Sequence, residues 1–133
     1  MKKKILIIVI LLLGLVTITQ AQDQTFFKLR AYKAFIIMRD NNVKEIDVNL
    51  DVTLDIARQH CTIYSNEVQR IDYIILREYQ GNDGYYEIDA KATDSNYKQI
   101  SFDISINTTG LNIVIITITY SDVSYAYRCK IIQ

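Results

Sequence analysis

The chain has one histidine, and it sits beside a cysteine, His60-Cys61. A thiolate next to an imidazole is the nucleophilic pair of cysteine hydrolases. Neighbouring residues of a strand, however, point to opposite faces, so these two side chains do not meet if the segment is extended. A Ser-His-Asp triad would also have to use His60, and a multi-histidine metal site within one chain is excluded. The strongest polar constellation is the acidic row Glu45, Asp47, Asn49, Asp51 and Asp55. Asp47-x-Asn49-x-Asp51 resembles the opening of a calcium loop, but the turn glycine is missing and the intervening residues are strand-forming Val and Leu. Same-face residues of a strand stand about 6.6 Å apart per pair, so a straight row cannot wrap one ion. The row reads as a solvated strand face. No metal site, cofactor or set of catalytic residues is expected. Among the 15 acids, Asp47, Asp51, Asp89 and Asp103 are the ones from which a small hydrolase using surface carboxylates would draw.

Binding chemistry is better represented. There are 10 tyrosines and no tryptophan, and a tyrosine offers an apolar ring with a polar tip. Tyr79 and Tyr85 flank a turn containing Asn82 and Asp83, and these four are the candidate binding residues. Tyr85 and Tyr86 must face opposite ways within a strand, which leaves one free for a partner. Asn107-Thr108-Thr109 fits a glycosylation sequon and reads as a turn.

The only cysteines are Cys61 and Cys129. An exported chain with an even count invites a disulfide. Such a bridge would close a loop of roughly 70 residues and contribute about 4 kcal/mol in the chain-entropy view. Two separate buried thiols, acting as small apolar fillers, are the alternative.

These residues must be positioned by a single domain, since 133 residues leave no room for two ordinary cores. Residues 1–21 read as a secretory signal peptide. Lys2, Lys3 and Lys4 are followed by an apolar run from Ile5 to Val16 and by the small residues Thr19 and Ala21 of a cleavage site. The run is short for a bilayer span. The expected location is therefore secreted or periplasmic, with cleavage near Ala21 and no stable membrane anchor afterwards. Cleavage removes three lysines from a chain of zero formal charge. The remaining 22–133 domain is mildly acidic, which argues against nucleic acid as a partner.

Half the residues are apolar and 23% are charged, in a chain without proline. Turn-type clusters recur at 40–42, 65–67, 81–84, 94–96, 107–110 and 121–122. Between them apolar residues alternate. Ile46, Val48, Leu50, Val52, Leu54 and Ile56 keep a period of two, as do Tyr86 to Ala92, Ile100 to Ile106 and Val123 to Ile131. Ile113 to Ile116 has no polar face, and a strand of this kind is expected inside the sheet, between 98–106 and 123–131, with cover on both sides. Segment 25–39 alternates like a strand through Phe27, Leu29 and Ala31, yet Phe27, Ala31, Ala34, Phe35 and Met38 also fit a helix face; strand is the preferred reading. The expected fold is all-β, a single antiparallel meander of about eight strands closing as a small up-and-down barrel or packing as a two-sheet sandwich.

Ile63-Tyr64-Ser65 before a long Tyr/Ile strand, Ala92-Thr93-Asp94-Ser95, and Ile118-Thr119-Tyr120-Ser121-Asp122 with Tyr127 shortly after form a pattern. Over most of 26–128 it resembles a group of small exported bacterial all-β proteins of unknown function. The resemblance implies a small β domain beyond the inner membrane, and no activity or site. Several members carry an early tryptophan that this chain lacks.

The expected function is that of a non-catalytic β domain that binds a protein, peptide or envelope glycan. The alternative is a lipocalin-like carrier of a small apolar ligand, with Phe102, Tyr125 and Tyr127 lining a cavity.

Overall fold

The computed structural model describes residues 25–132. The signal-peptide reading of 1–21 and its cleavage site lie outside the described residues. Eight strands follow one another: β1 Phe26–Met38, β2 Val43–Asp55, β3 His60–Tyr64, β4 Val68–Gln80, β5 Tyr85–Thr93, β6 Gln99–Asn107, β7 Ile113–Thr119 and β8 Val123–Ile131. Each pairs antiparallel with the next, and β8 pairs with β1, so the sheet closes into a barrel. Closure removes the two outer edges of an open sheet. The choice between barrel and sandwich is thereby made.

Inward side chains fill the barrel. Leu29, Val52, Leu54, Ile63, Ile71, Ile88, Phe102, Ile104, Ile116 and Ile118 are almost completely buried. The Phe102 ring stacks on Tyr73 with centroids 4.8 Å apart. It is a core residue.

Segment 25–39 is a strand, and its helix-like spacing has a local cause. A bulge between Ala31 and Lys33 shifts the register toward both neighbours. Against β8 the extra residue is Tyr32, and against β2 it lies on β2, where Val48 and Asn49 face Tyr32; the inward parity of β1 changes at this point. Phe27, Leu29 and Ala31 face the core before it, and Ala34 faces it after. Ala31 and Ala34 thus stand three apart, as on a helix. Strand β7 lies between β6 and β8 as expected. Its outer face is half-buried at Ile113, Ile115 and Thr117, and among the described residues no second layer covers it.

The cysteines are free, buried thiols, not a disulfide. Cys61 is on β3 and Cys129 on β8, with β1 and β2 between them in the sheet. Two intervening strands separate the backbones by on the order of 10 Å across the interior, beyond the Cα reach of a disulfide. Burial pushes the Cys129 thiol up to about 12 and raises Cys61 further, the neighbouring Cys129 adding to the effect. Both are apolar fillers.

The shortest strand controls the outline. β3 covers β2 only from Asp51 to Asp55 and β4 only from Val68 to Asp72. The β1–β2 hairpin therefore extends past β3 at one end of the barrel, and the β4–β5 hairpin at the other. The first end, the mouth, carries the turns at 39–42, 65–67, 94–98 and 120–122. The second, the base, carries those at 56–59, 81–84 and 108–112.

Candidate functional site

The base is sealed. Phe27, Leu54, Ile106, Val114 and Ile131 close around a gap that admits no water molecule. Asn107, a buried polar residue, holds the β6–β7 loop. Its Oδ1 accepts hydrogen bonds from the backbone N–H of Thr109 and Leu111 and from the Thr109 hydroxyl, each at 3.0 Å. The Thr108 hydroxyl and N–H both donate to the Gly84 carbonyl, at 2.8 Å each. Gly84 has φ +78° and its missing Cβ would meet Thr109 Cγ2 at 2.8 Å, so this contact needs glycine. The candidate residues Tyr79, Asn82, Asp83 and Tyr85 all lie here, at the β4–β5 tip. Asn82 and Asp83 are exposed and Tyr85 is half-buried. Tyr79 is exposed with the Arg77 guanidinium 4.9 Å from its ring centre. Tyr86 takes the inward position instead and donates its hydroxyl hydrogen bond to Glu78.

The mouth is open. A pocket of about 300 Å³ is walled by Tyr120, Tyr125 and Tyr127, with Gln69, Lys98 and Asp122 at its polar rim. The β7–β8 turn is tight, closed by the Tyr120 N–H donating to the Val123 carbonyl at 2.8 Å. It delivers Tyr120 and Tyr125 edge to face, centroids 6.1 Å apart. Strand alternation brings Tyr127 in below Tyr125. The Tyr120 hydroxyl donates to Asp94 Oδ2 at 2.9 Å, and Lys98 Nζ stands 5.9 Å from the Tyr120 ring centre. Burial, followed by the bond to Asp94, pushes the Tyr120 hydroxyl up to about 12. Burial also raises Asp94, but the Lys98 N–H, the Tyr120 hydroxyl, the Asn96 N–H and the Lys98 charge together outweigh it and hold the carboxyl below its ordinary value. Burial raises Tyr127. The mouth thus holds the Tyr120 phenol anchored on Asp94, with Lys98 and Asp122 at the rim.

The same turn carries Tyr97 at φ +63°, 88% exposed. A bulky residue in the left-handed region costs about 1–2 kcal/mol, and an exposed ring recovers little by packing. Above the pocket rises the inner face of the β1–β2 extension, where Ile46, Val48 and Leu50 are only half-buried. The alternation of this strand predicted six equivalent core positions; only Val52, Leu54 and Ile56 are fully covered.

The carboxylates divide into separate groups. On β2, Asp47 and Glu45 accept from Lys33 Nζ at 3.2 and 2.6 Å, and Asp51 from Arg30 Nε at 2.8 Å. Asp89 and Asp103 sit directly opposite each other on β5 and β6, on the convex outer wall. Arg77 Nε donates to Asp89 at 2.6 Å. Burial, then the bond to and charge of Asp89, then the charge of Glu87, push Asp103 up to about 6. His60 faces outward, its Nδ1 2.6 Å from Asp72 Oδ1, while Cys61 faces the core. The two do not meet.

The candidates at the base tip share no pocket with the mouth. Tyr125 and Tyr127 were readable as inward residues of β8. Gln69, Lys98, Tyr120 and Asp122 were not read as site residues, because they come from the start of β4 and from two separate turns that only the closed barrel brings together. No family model, curated protein or solved structure matches the chain.

Proposed function

We propose that this protein is a non-catalytic binding domain of the secreted or periplasmic compartment, and that it takes a segment of a protein, peptide or envelope glycan at the barrel mouth. The observation that carries this reading is the open pocket of about 300 Å³ with three tyrosine walls and a rim of Gln69, Lys98 and Asp122. Convergent aromatic walls with few polar groups are what a ring or side-chain subsite requires. Strained, exposed Tyr97 on the adjoining turn supports it. The filled interior and sealed base favour a surface site over a lipocalin-like cavity for an apolar ligand.

With no tryptophan in the chain, tyrosine emission is visible, and three of the 10 tyrosines that contribute to it wall the pocket. Oligosaccharides and short peptides titrated into the protein should change that emission, and Lys98→Ala with Asp122→Ala should weaken the response at least tenfold. The double variant Asn82→Ala/Asp83→Ala at the base should leave it unchanged. Loss of binding in the base variant with retention in the mouth variant would transfer the site to the opposite end.

A further inference from the structure

We infer that the upper edge of β2, residues 43–50, receives an extended polypeptide segment as an added strand, with basic and apolar residues in alternation. The inference deepens the mouth reading, on which it rests for the place of binding, by naming the partner class.

The pairing of β2 is one-sided over this stretch. Its partners on β1 run from Val43 opposite Ile37 to Asp55 opposite Phe26, with one register shift where Val48 and Asn49 face Tyr32. Its partners on β3 begin only at Asp51, opposite Tyr64. Beyond Tyr64 the chain turns away, the Ser65 hydroxyl bonding the Glu67 carbonyl at 2.6 Å. Among the described residues, nothing pairs with the backbone of 43–50 on that side. A bare row of backbone donors and acceptors is a template for another strand.

The two faces of the edge specify the occupant. Toward the mouth it presents Ile46, Val48 and Leu50, all half-buried, so alternate residues of an added strand meet apolar neighbours and the tyrosine pocket. Outward it presents Glu45, Asp47 and Asn49. Lys33 is shared between Glu45 and Asp47, one cation for two carboxylates on this outer face, which leaves it excess negative charge beside the open edge, while Lys44 has the parity of Ile46 on the other face. Directly opposed like charges destabilise a strand pair, and opposite charges support it. A second copy of β2 would bring two acidic rows together. A strand with basic residues on its outer face balances them.

The test uses the isotope-labelled protein and capped six-residue peptides, one alternating Val with Lys and one alternating Val with Glu. Amide exchange and chemical shifts are followed by NMR. The Val/Lys peptide should slow exchange at alternate amides within 43–50 at least tenfold and bind at least tenfold tighter than Val/Glu. Glu45→Lys with Asp47→Lys should reverse that preference. Shifts confined to Tyr120, Tyr125 and Tyr127, with exchange in 43–50 unchanged, would overturn strand addition and leave the mouth reading standing. A response to an oligosaccharide such as chitotetraose alone would overturn the peptide partner. Protection of 43–50 that grows with protein concentration, without peptide, would replace it with a second copy. Silence under every probe would overturn both readings.

Discussion

The two ends of the barrel solve the same problem in opposite ways. At each end a long hairpin outruns the short β3 and leaves a half-edge. At the base, the β4 edge is blunted. Gln59, at φ +59°, accepts the Tyr73 N–H with its carbonyl at 3.0 Å and the Ile75 N–H with its side-chain Oε1 at 2.9 Å. A bulge then breaks the register between Ile75 and Arg77. Bulges and capping groups are the usual devices against edge pairing. At the mouth, the β2 edge has one register shift, where Val48 and Asn49 face Tyr32, but among the described residues no side chain caps its backbone, and the pocket beside it stays open. The difference leaves the base edge capped and the mouth edge open.

The largest effect that can break this comparison is expected at the base. Asn107→Ala strands two backbone donors and a hydroxyl, and should cost about 3 kcal/mol, read as a lowered urea midpoint with an unchanged slope. An effect below the error of the measurement would mean that the base is not anchored as described. The mouth should respond with the opposite sign. Tyr97→Gly relieves the left-handed strain and should leave stability equal or higher by about 1 kcal/mol, while weakening partner binding. A clear loss of stability would make Tyr97 structural. Gln59→Ala removes one cap of the β4 edge and should cost about 1 kcal/mol. It should also raise light scattering at high concentration, making the base edge behave like the mouth edge; unchanged scattering would show that the cap does not guard it.

The smallest expected effect lies on the wall between the ends. Asp103 is raised to about 6, above its unfolded value near 4. The folded state therefore holds its proton more tightly. The resulting penalty is absent below the unfolded pKa, grows as pH rises between about 4 and 6, and is complete at neutral pH. The group is half-exposed, so solvent screening keeps the penalty below about 1 kcal/mol. Asp103→Asn should stabilise the protein slightly at pH 7 and have no effect at pH 3.5. A benefit that is the same at both pH values would remove the carboxylate pair as its cause.

Much of this was readable from residue order. The period of two in 46–56 and 100–106 specifies strands, because alternate side chains of an extended chain must share a face. The turn clusters specify hairpins, since short connections make consecutive strands antiparallel neighbours. The ambiguity at 25–39 also has a residue-level cause: one extra residue at Tyr32 turned an alternating pattern into a helix-like one.

What the pattern could not contain is coverage. Ile46 and Leu54 occupy equivalent positions in one alternating run, yet only Leu54 is buried, because β3 spans five residues and stops short of Ile46. The thiols of Cys61 and Cys129 match in parity but not in place, since two strands stand between theirs. Gln69, Lys98 and Tyr127 become neighbours only when β8 meets β1. Local alternation is a property of each strand and is written in the sequence. Strand length against its neighbour, register and closure depend on many strands at once, so the tertiary structure alone decides where the wall ends and a binding surface begins.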